Sequence, residues 1–326
     1  MNKVANAISV SFVVPMRNAS TTIVQALKSI EKQEYPVREI IIIDNASKDD
    51  SVLLVKKFSE NSKIPIKIII RKENKGLGAS FNDGVENAKS NLVILMHSDC
   101  FLPTEKEIEK LTRPLIEEKS VVATYPTIDL LDNVWRTYGF WEKCLFARVV
   151  GRGIAGLTTK FDCIRKDSFQ NIGGFDVKNF GVGAEDADLY NRLIKIGKVL
   201  KSYARVTHVH YLGEDYTLRK MLLKQKIYAK AYGRGIRMRG ISLFQNGIFL
   251  LVKPGLAILP FIPYLYDVGV ITLIIYSFLY TKKMFTTKST LQDPRIIILP
   301  FLNIFSLYCE TFWTIESFLF GKNKVE

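Results

Sequence analysis

The stretch Asn91-Leu92-Val93-Ile94-Leu95-Met96-His97-Ser98-Asp99-Cys100 decides how the chain is read. Leu92 to Met96 are apolar without alternation, the pattern of a strand covered on both faces. The run stops at His97-Ser98-Asp99, where an imidazole, a hydroxyl and a carboxylate emerge together. In open α/β sheets, ligands bind outside the carboxyl ends of the strands. Residues two apart in an extended chain point to the same side, so His97 and Asp99 make a two-ligand start for a divalent cation. A Ser-Asp after a strand is more often a turn or a helix cap. The reading therefore needs partners elsewhere in the chain.

Upstream, strand and helix patterns alternate. Residues 8–14 read as a strand ending at Pro15, and Ser20 caps a helix whose Ile23, Val24, Leu27 and Ile30 share a face. Glu39 to Ile43 is a second strand, ending at Asp44-Asn45. Ser47 is placed to cap the next helix, with Asp49 and Asp50 in its first turn. Ile66 to Ile70 is a third strand, and Lys75-Gly76-Leu77-Gly78 opens a helix running to Ala88. Repetition of this kind implies a Rossmann-like, mostly parallel sheet with right-handed crossovers. The glycine pair lacks the full dinucleotide fingerprint and does not follow the first strand. Polar residues stand at four strand ends: Arg17-Asn18, Asp44-Asn45, Arg71 and His97-Ser98-Asp99. Together along one sheet edge they argue for a shared site. Asp44 suits hydrogen bonds from a base or ribose, and Arg71 suits stacking on a base or pairing with phosphate.

Downstream, Gly173-Gly174-Phe175-Asp176 is followed by Glu185-Asp186-Ala187-Asp188 at the start of a helix whose Leu189, Leu193 and Ile196 face inward. Acids at a helix N-terminus are stabilised by the dipole. Glu185, Asp186 and Asp188 exceed what a cap requires, and one of them can serve as a general base. After a strand over 198–206 comes His208-Val209-His210, and either imidazole is a candidate third metal ligand. Between these motifs, Trp135, Tyr138, Phe140 and Trp141 form either an acceptor platform or core packing. Gly151-Arg152-Gly153 reads as a loop and Phe161 to Ile164 as a strand.

The net charge of +14 has a location. From Arg219 to Arg239 there are eight basic residues and no acid. Such a run favours nucleic acid, an anionic membrane or an acidic substrate, and the sequence that follows chooses. Pro254 to Tyr280 carries one charge, Asp267, while Ile296 to Phe320 carries Glu310 and Glu316 and no Lys or Arg. Both approach the roughly 20 residues that span a bilayer, although Pro260 and Pro263 would kink the first. Two spanning helices compete with an interfacial hairpin, and a buried soluble helical domain is the alternative to both. With two spans, the positive-inside bias puts the catalytic domain on the cytoplasmic face. The basic helix then lies against headgroups, which argues for a membrane partner and against nucleic acid. The expected division is a catalytic domain over 1–212, a basic interfacial helix over 213–245 and a membrane region over 246–326. Four dispersed cysteines without a C-x-x-C pair fit a reducing compartment.

Val13-Val14-Pro15-Met16-Arg17-Asn18, Ile43-Asp44-Asn45-Ala46-Ser47-Lys48-Asp49 and Asn74-Lys75-Gly76-Leu77-Gly78 with Asn82 and Gly84 stand in one order with Ser98-Asp99, Gly173-Gly174-Phe175-Asp176 and Glu185-Asp186-Ala187-Asp188. The set resembles family 2 glycosyltransferases of the GT-A fold. The resemblance implies inverting transfer of a sugar from a nucleoside-diphosphate sugar, which Pro15, Arg17, Asn18, Asp44, Asn45, Arg71, Asn74, Gly76 and Ser98 would bind, with Asp44 at the base. It implies a divalent cation, Mn²⁺ or Mg²⁺, on His97 and Asp99, completed by His208 or His210. Asp186 would be the general base, with Glu185 and Asp188 beside it. The chain departs from the pattern at His97, where an acid usually stands, and an imidazole tilts the site towards Mn²⁺. The Gln-x-x-Arg-Trp motif of processive synthases is missing, so transfer of a single sugar is expected. Membrane attachment points to a lipid-linked glycan or glycolipid acceptor. The competing expectations are transfer to polyprenyl phosphate itself and an idle nucleotide-sugar-binding membrane protein. Cys100 is expected to be a buried small residue and not a nucleophile.

Overall fold

The computed structural model describes residues 8–129, 132–147, 150, 156–180, 183–209, 216–239 and 248–321. They fall into two compact units, one within Met1–Leu130 and Gly153–Tyr211, the other within Leu131–Arg152 and Leu212–Lys324. The expected catalytic domain over 1–212 therefore loses the 131–152 segment to the second unit.

The first unit is built on strands β1 (Val10–Met16), β2 (Val37–Asp44), β3 (Ile66–Ile70), β4 (Leu92–Met96), β5 (Cys100–Phe101), β6 (Val121–Asp129), β7 (Phe161–Arg165) and β8 (Lys198–His208). They form one sheet in the order β3-β2-β1-β4-β7-β6-β8-β5. Strands β1 to β4 pair in parallel, whereas β7 runs antiparallel to both β4 and β6, and β5 antiparallel to β8. The unalternating apolar runs have a direct cause. Phe12, Val14, Ile40, Ile42, Ile94 and Met96 face one layer with Ile23, Leu27 and Ile30 of the Ile23–Glu31 helix. Val13, Ile41, Ile43, Val93 and Leu95 face the other with Phe81 and Val85 of the Leu77–Asn87 helix. Period-two side chains thus fill two cores from the same strands.

The sheet must curl. Met96 and Cys100 are four residues apart, at most about 14 Å, yet β4 and β5 are separated by four strand spacings, about 19 Å in a flat sheet. Only a curled far edge lets the His97–Asp99 link join them.

Some local expectations shift. The second helix starts at Ser51, not after Ser47. Ser47 instead accepts the Asn18 N–H at 3.0 Å, tying two strand-end loops together. The acid helix is Glu185–Leu193, and Ile196 lies beyond it, 48% exposed, while Leu189 and Leu193 are fully buried. The Glu107–Glu117 helix, β5 and β6 completed the unit without being individually anticipated.

The second unit is helical. Its first apolar stretch does not make one span. A helix ends at Ile258, a 3₁₀ turn covers Leu259–Phe261, Tyr264 takes a left-handed φ of 68°, and a new helix runs only from Tyr266 to Leu279. Pro260 and Pro263 lack the N–H groups that a continuous helix would need. Fourteen residues rise about 21 Å, short of a bilayer core of about 30 Å. Among the described residues one helical stretch, Pro294–Phe320, has the length and composition to cross. Its acids are answered inside the unit. Glu310 pairs with Lys253 and accepts the Tyr280 hydroxyl at 2.9 Å, and Glu316 pairs with Lys230 at 3.3 Å. The basic segment is a helix, Leu218–Arg239, and its Gly233 packs so closely that a Cβ would lie 2.3 Å from the Thr314 carbonyl oxygen. The aromatic cluster resolves towards packing. Trp135 is fully buried, with Lys143 and Lys283 over its ring, and Arg295 covers Phe140 at 4.6 Å. Gly151-Arg152-Gly153 and His210 lie outside the described residues.

Gly84 gives a test of the two-layer packing, because a Cβ there would stand 2.0 Å from Val13 Cγ1. Gly84→Ala should cost about 1–3 kcal/mol of stability, read as a lower thermal midpoint. Gly235→Ala, which meets nothing within 4 Å, should not lower it.

Candidate active site

Strand β4 delivers His97, Ser98 and Asp99 to its carboxyl end. The chain then enters β5, whose Cys100 pairs with His208 at the end of β8. That pairing sets the His208 Nε2 3.2 Å from Asp99 Oδ2, while Val209 N–H donates to the Asp99 carbonyl at 3.0 Å. His97 Nδ1 stands 3.9 Å from Asp99 Oδ1. One ligand atom from each of His97, Asp99 and His208 lies within 4.8 Å of the others. A carboxylate and two imidazoles form a donor set that fits a divalent cation of the Mn²⁺ type better than Mg²⁺, which prefers oxygen throughout.

The tautomer of His97 follows from its neighbour. The Thr159 hydroxyl donates to the Thr158 carbonyl at 2.6 Å, so its oxygen can only accept from His97 Nε2, 2.9 Å away. The proton therefore sits on Nε2, leaving the Nδ1 lone pair towards Asp99. Burial, reinforced by the charge of Lys160 and opposed by Asp99, pushes the His97 pKa down to about 3. The ring stays neutral, as a ligand must be.

Thr158 and Thr159 are held in turn by Asp162. One carboxylate oxygen accepts both their N–H groups, at 2.8 and 2.6 Å, and Thr159 adopts a left-handed φ of 61°. The other oxygen, Oδ1, has no hydrogen-bond partner among the described residues, although the side chain is fully buried. Burial raises the Asp162 pKa to about 7 against those two N–H bonds and Lys160. The sequence reading missed Thr159, Lys160 and Asp162. Because β7 is antiparallel to β4, with Met96 opposite Phe161, the residues before β7 reach the carboxyl edge of β4. The available signal was the acid inside the apolar run Phe161-Asp162-Cys163-Ile164.

The acid helix is fixed from the other side. Asn82 exchanges two hydrogen bonds with the Phe175 backbone, at 2.8 and 2.9 Å. Gly174, at φ 65°, leaves room that a Cβ would take from the Asn82 amide. Glu185 has its pKa raised by burial, and its Oε2 has no hydrogen-bond partner among the described residues. Asp186 accepts the Ala187 N–H at 2.7 Å through Oδ1. Asp188 is buried and paired with Arg192, which also donates to the Ile172 carbonyl at 2.7 Å. That assignment removes Asp188 from the expected catalytic acids. Burial, then the nearby Asp99, raises the Cys100 thiol well above its ordinary value, which suits no nucleophile.

A cleft of about 290 Å³ is lined by Pro15, Met16, Arg17, Asn45, Leu77, His97, Ser98 and Asp99. It brings together four expected nucleotide-sugar residues, Pro15, Arg17, Asn45 and Ser98, with two expected metal ligands. The remaining expected residues shape loops. Asn18, at φ 50°, accepts Lys48 N–H at 2.8 Å. Asn45 donates to Asn74 at 2.5 Å and to the Gly76 carbonyl at 3.3 Å. Asp44 is 1% exposed and receives the Ser47 N–H. Arg71 does not point at a phosphate. Its guanidinium is spent on Asn45, Ser80, the Ala79 carbonyl and Asp83, with a side chain only 8% exposed.

Two outcomes test this geometry. Thr159→Ala should weaken Mn²⁺ binding by about tenfold in calorimetry, whereas Thr159→Ser should keep it. Asp162 titrates near 7 folded against about 3.9 unfolded. Its contribution to stability is full below the unfolded value and is lost as pH rises through the folded one. The unfolding free energy of the wild type should therefore fall relative to Asp162→Asn as pH is raised from about 4 to about 7, most steeply between about 5 and 6, and level off above neutrality.

The description "Glycosyl transferase family 2" matches residues 11–173, half of the chain, and "N-terminal domain of galactosyltransferase" matches residues 150–217. An undecaprenyl-phosphate 4-deoxy-4-formamido-L-arabinose transferase of Pseudomonas savastanoi pv. phaseolicola is 27% identical over 158 residues, 48% of this chain and 45% of the relative. A poly-beta-1,6-N-acetyl-D-glucosamine synthase of Staphylococcus epidermidis is 30% identical over 90 residues, 28% of this chain and 21% of the relative. The chain thus spans under half the length of either. A mannosyltransferase of Pyrobaculum calidifontis, solved with GDP-Man and Mn²⁺, superposes with a TM-score of 0.60 at 15% identity, covering 93% of this chain and 87% of that one. GalNAc-T7, solved with UDP, GalNAc and Mn²⁺, superposes with a TM-score of 0.53 at 15% identity, covering 77% and 51%. These likenesses establish the fold as GT-A-like, and with the sequence match over half its length the chain is a glycosyltransferase belonging to family 2.

Proposed function

We propose that this glycosyltransferase moves one sugar at a time, with inversion, from a nucleoside-diphosphate sugar to a lipid-linked acceptor at the membrane. The observation that carries the reading is the convergence of His97, Asp99 and His208 beside a cleft that Pro15, Arg17 and Asn45 also line. His97, Asp99 and His208 would hold a divalent cation, which when bound offsets the negative charge that builds on a diphosphate leaving group. His210, outside the described residues, is the alternative third ligand. Asp44, Asn45, Asn74 and Gly76 form the loop edge on which the base would rest, with Asp44 facing it in this reading.

The reaction needs no enzyme nucleophile. The acceptor hydroxyl oxygen forms a bond to the anomeric carbon while the bond from that carbon to the diphosphate oxygen breaks on the opposite face. The nucleoside diphosphate leaves with the electron pair, and Asp186 takes the acceptor proton. Asp186 suits that task because one of its oxygens is steadied by Ala187 N–H and the residue is only partly buried. Beside it, burial raises the pKa of Glu185.

Attachment to a membrane is supported by apolar surface in the second unit. Phe301, Phe305, Phe312 and Phe320 are 73, 54, 65 and 75% exposed along the long helix. Ile271, Ile275 and Leu279 are more than half exposed on the shorter one. Soluble surfaces seldom carry apolar area of that extent. The eight basic residues of 219–239 favour the cytoplasmic face. A second reading, transfer to polyprenyl phosphate itself, is favoured by the undecaprenyl-phosphate transferase among the relatives.

The test incubates detergent-solubilised protein with labelled nucleotide sugars, Mn²⁺ and a lipid extract. Label should enter the lipid fraction with one donor. Asp186→Asn should lower that rate by about 10²–10⁴-fold while nucleotide binding is retained. A sugar phosphodiester product, cleaved by mild acid, would select the second reading. Transfer to soluble acceptors alone would remove the lipid from the proposal.

A further inference from the structure

We propose that Lys160 is a further donor-binding residue, its ammonium pairing with the diphosphate of the nucleotide sugar. This rests on the reading that a nucleoside-diphosphate sugar is the donor. Three observations on position, support and charge carry it.

The first is register. In the antiparallel pair of β4 and β7, Met96 stands opposite Phe161. His97, one residue after Met96, and Lys160, one residue before Phe161, therefore leave the sheet at the same edge. The second is that the backbone leading into Lys160 is built. Asp162 takes both the Thr158 and Thr159 N–H groups, and Thr159 touches the His97 ring. The constrained turn therefore fixes where the Lys160 side chain leaves the backbone. The third is that Lys160 makes no ion pair or hydrogen bond through its side chain among the described residues, although its charge is felt at His97, Asp162 and Glu185. A partly buried lysine near those acids, with no side-chain partner among the described residues, is placed to find one in a ligand.

The charges support a phosphate as that ligand. Asp99 is the one carboxylate among the three grouped metal donors, so a bound divalent cation would leave the cluster with a single positive charge. The diphosphate of a nucleotide sugar carries about two negative charges and gains another as it leaves. Arg71 cannot answer the difference, since Asp83 and three other groups hold it. Arg17 lines the cleft from the β1 end, and Lys160 adds a cation from the β7 side, where a compact ammonium suits a phosphate as a point charge.

Calorimetric titration of the full chain with Mn²⁺ tests this, using UDP and GDP against UMP and GMP. Lys160→Met should weaken the preferred diphosphate by at least about tenfold, leave its monophosphate unchanged, and leave Mn²⁺ binding without nucleotide intact. Lys160→Arg should recover most of the loss, which a merely structural role would not predict. Equal diphosphate affinity in Lys160→Met and wild type, at matched thermal midpoints, would overturn the proposal. So would unchanged nucleotide binding with a raised KM for a lipid-phosphate acceptor, which would give Lys160 to the acceptor. If the wild type binds no nucleotide at all, the donor reading itself fails, and this inference with it.

Discussion

Three residues, His97 to Asp99, must bridge from the middle of the sheet to its far edge, and that short link shapes the catalytic unit. It requires the curl that brings β5 and β8 round towards β4. The curl in turn delivers His208 to Asp99 from a strand more than a hundred residues away in sequence. A flat doubly-wound sheet would carry the same strand-end polar residues but would leave the cluster with two donors. The site is thus a consequence of closure at one edge and not of any single motif.

The same constraint explains what the sequence could and could not disclose. The parallel half was legible because its strands are buried on both faces, so Ile40 to Ile43 and Leu92 to Met96 appear as unbroken apolar runs. The strand-end rule then pointed to His97, Asp99 and Asn45, which line one cleft. It was blind to Thr159, Lys160 and Asp162, since those residues precede a strand, and only antiparallel pairing makes the start of β7 an active-site edge. Pairing direction is a tertiary property that local pattern does not encode. Arg71 and Asp188 misled for the opposite reason. Composition marks them as functional, but each is neutralised by a partner that only the fold supplies, Asp83 for one and Arg192 for the other.

In the second unit the apolar count alone overstated how many described helices are long enough to cross a bilayer. Pro260 and Pro263 divide one stretch into two pieces, neither of which has the rise to cross. The long helix keeps two acids, which lipid would penalise by several kcal/mol each. Pairing Glu310 with Lys253 and Tyr280, and Glu316 with Lys230, lowers that cost. Those pairs also bind the long helix to its neighbours, leaving its phenylalanines outward.

The imidazole at His97 is the feature that most invites a reading of lost activity, and its surroundings argue the other way. Asp99, Asp162, Glu185 and Asp186 already crowd acids into the region, and burial together with mutual repulsion has raised two of them. Another carboxylate at position 97 would add repulsion to that group of acids. A neutral ring supplies a metal donor without that charge. Burial keeps the ring neutral, Thr159 holds its proton on the far nitrogen, and Asp162 holds Thr159. A site drifting without function would have no reason to keep a three-residue chain of hydrogen bonds aimed at one lone pair. The charge that the imidazole does not contribute is then available to a diphosphate, and Lys160 stands on the same turn to meet it.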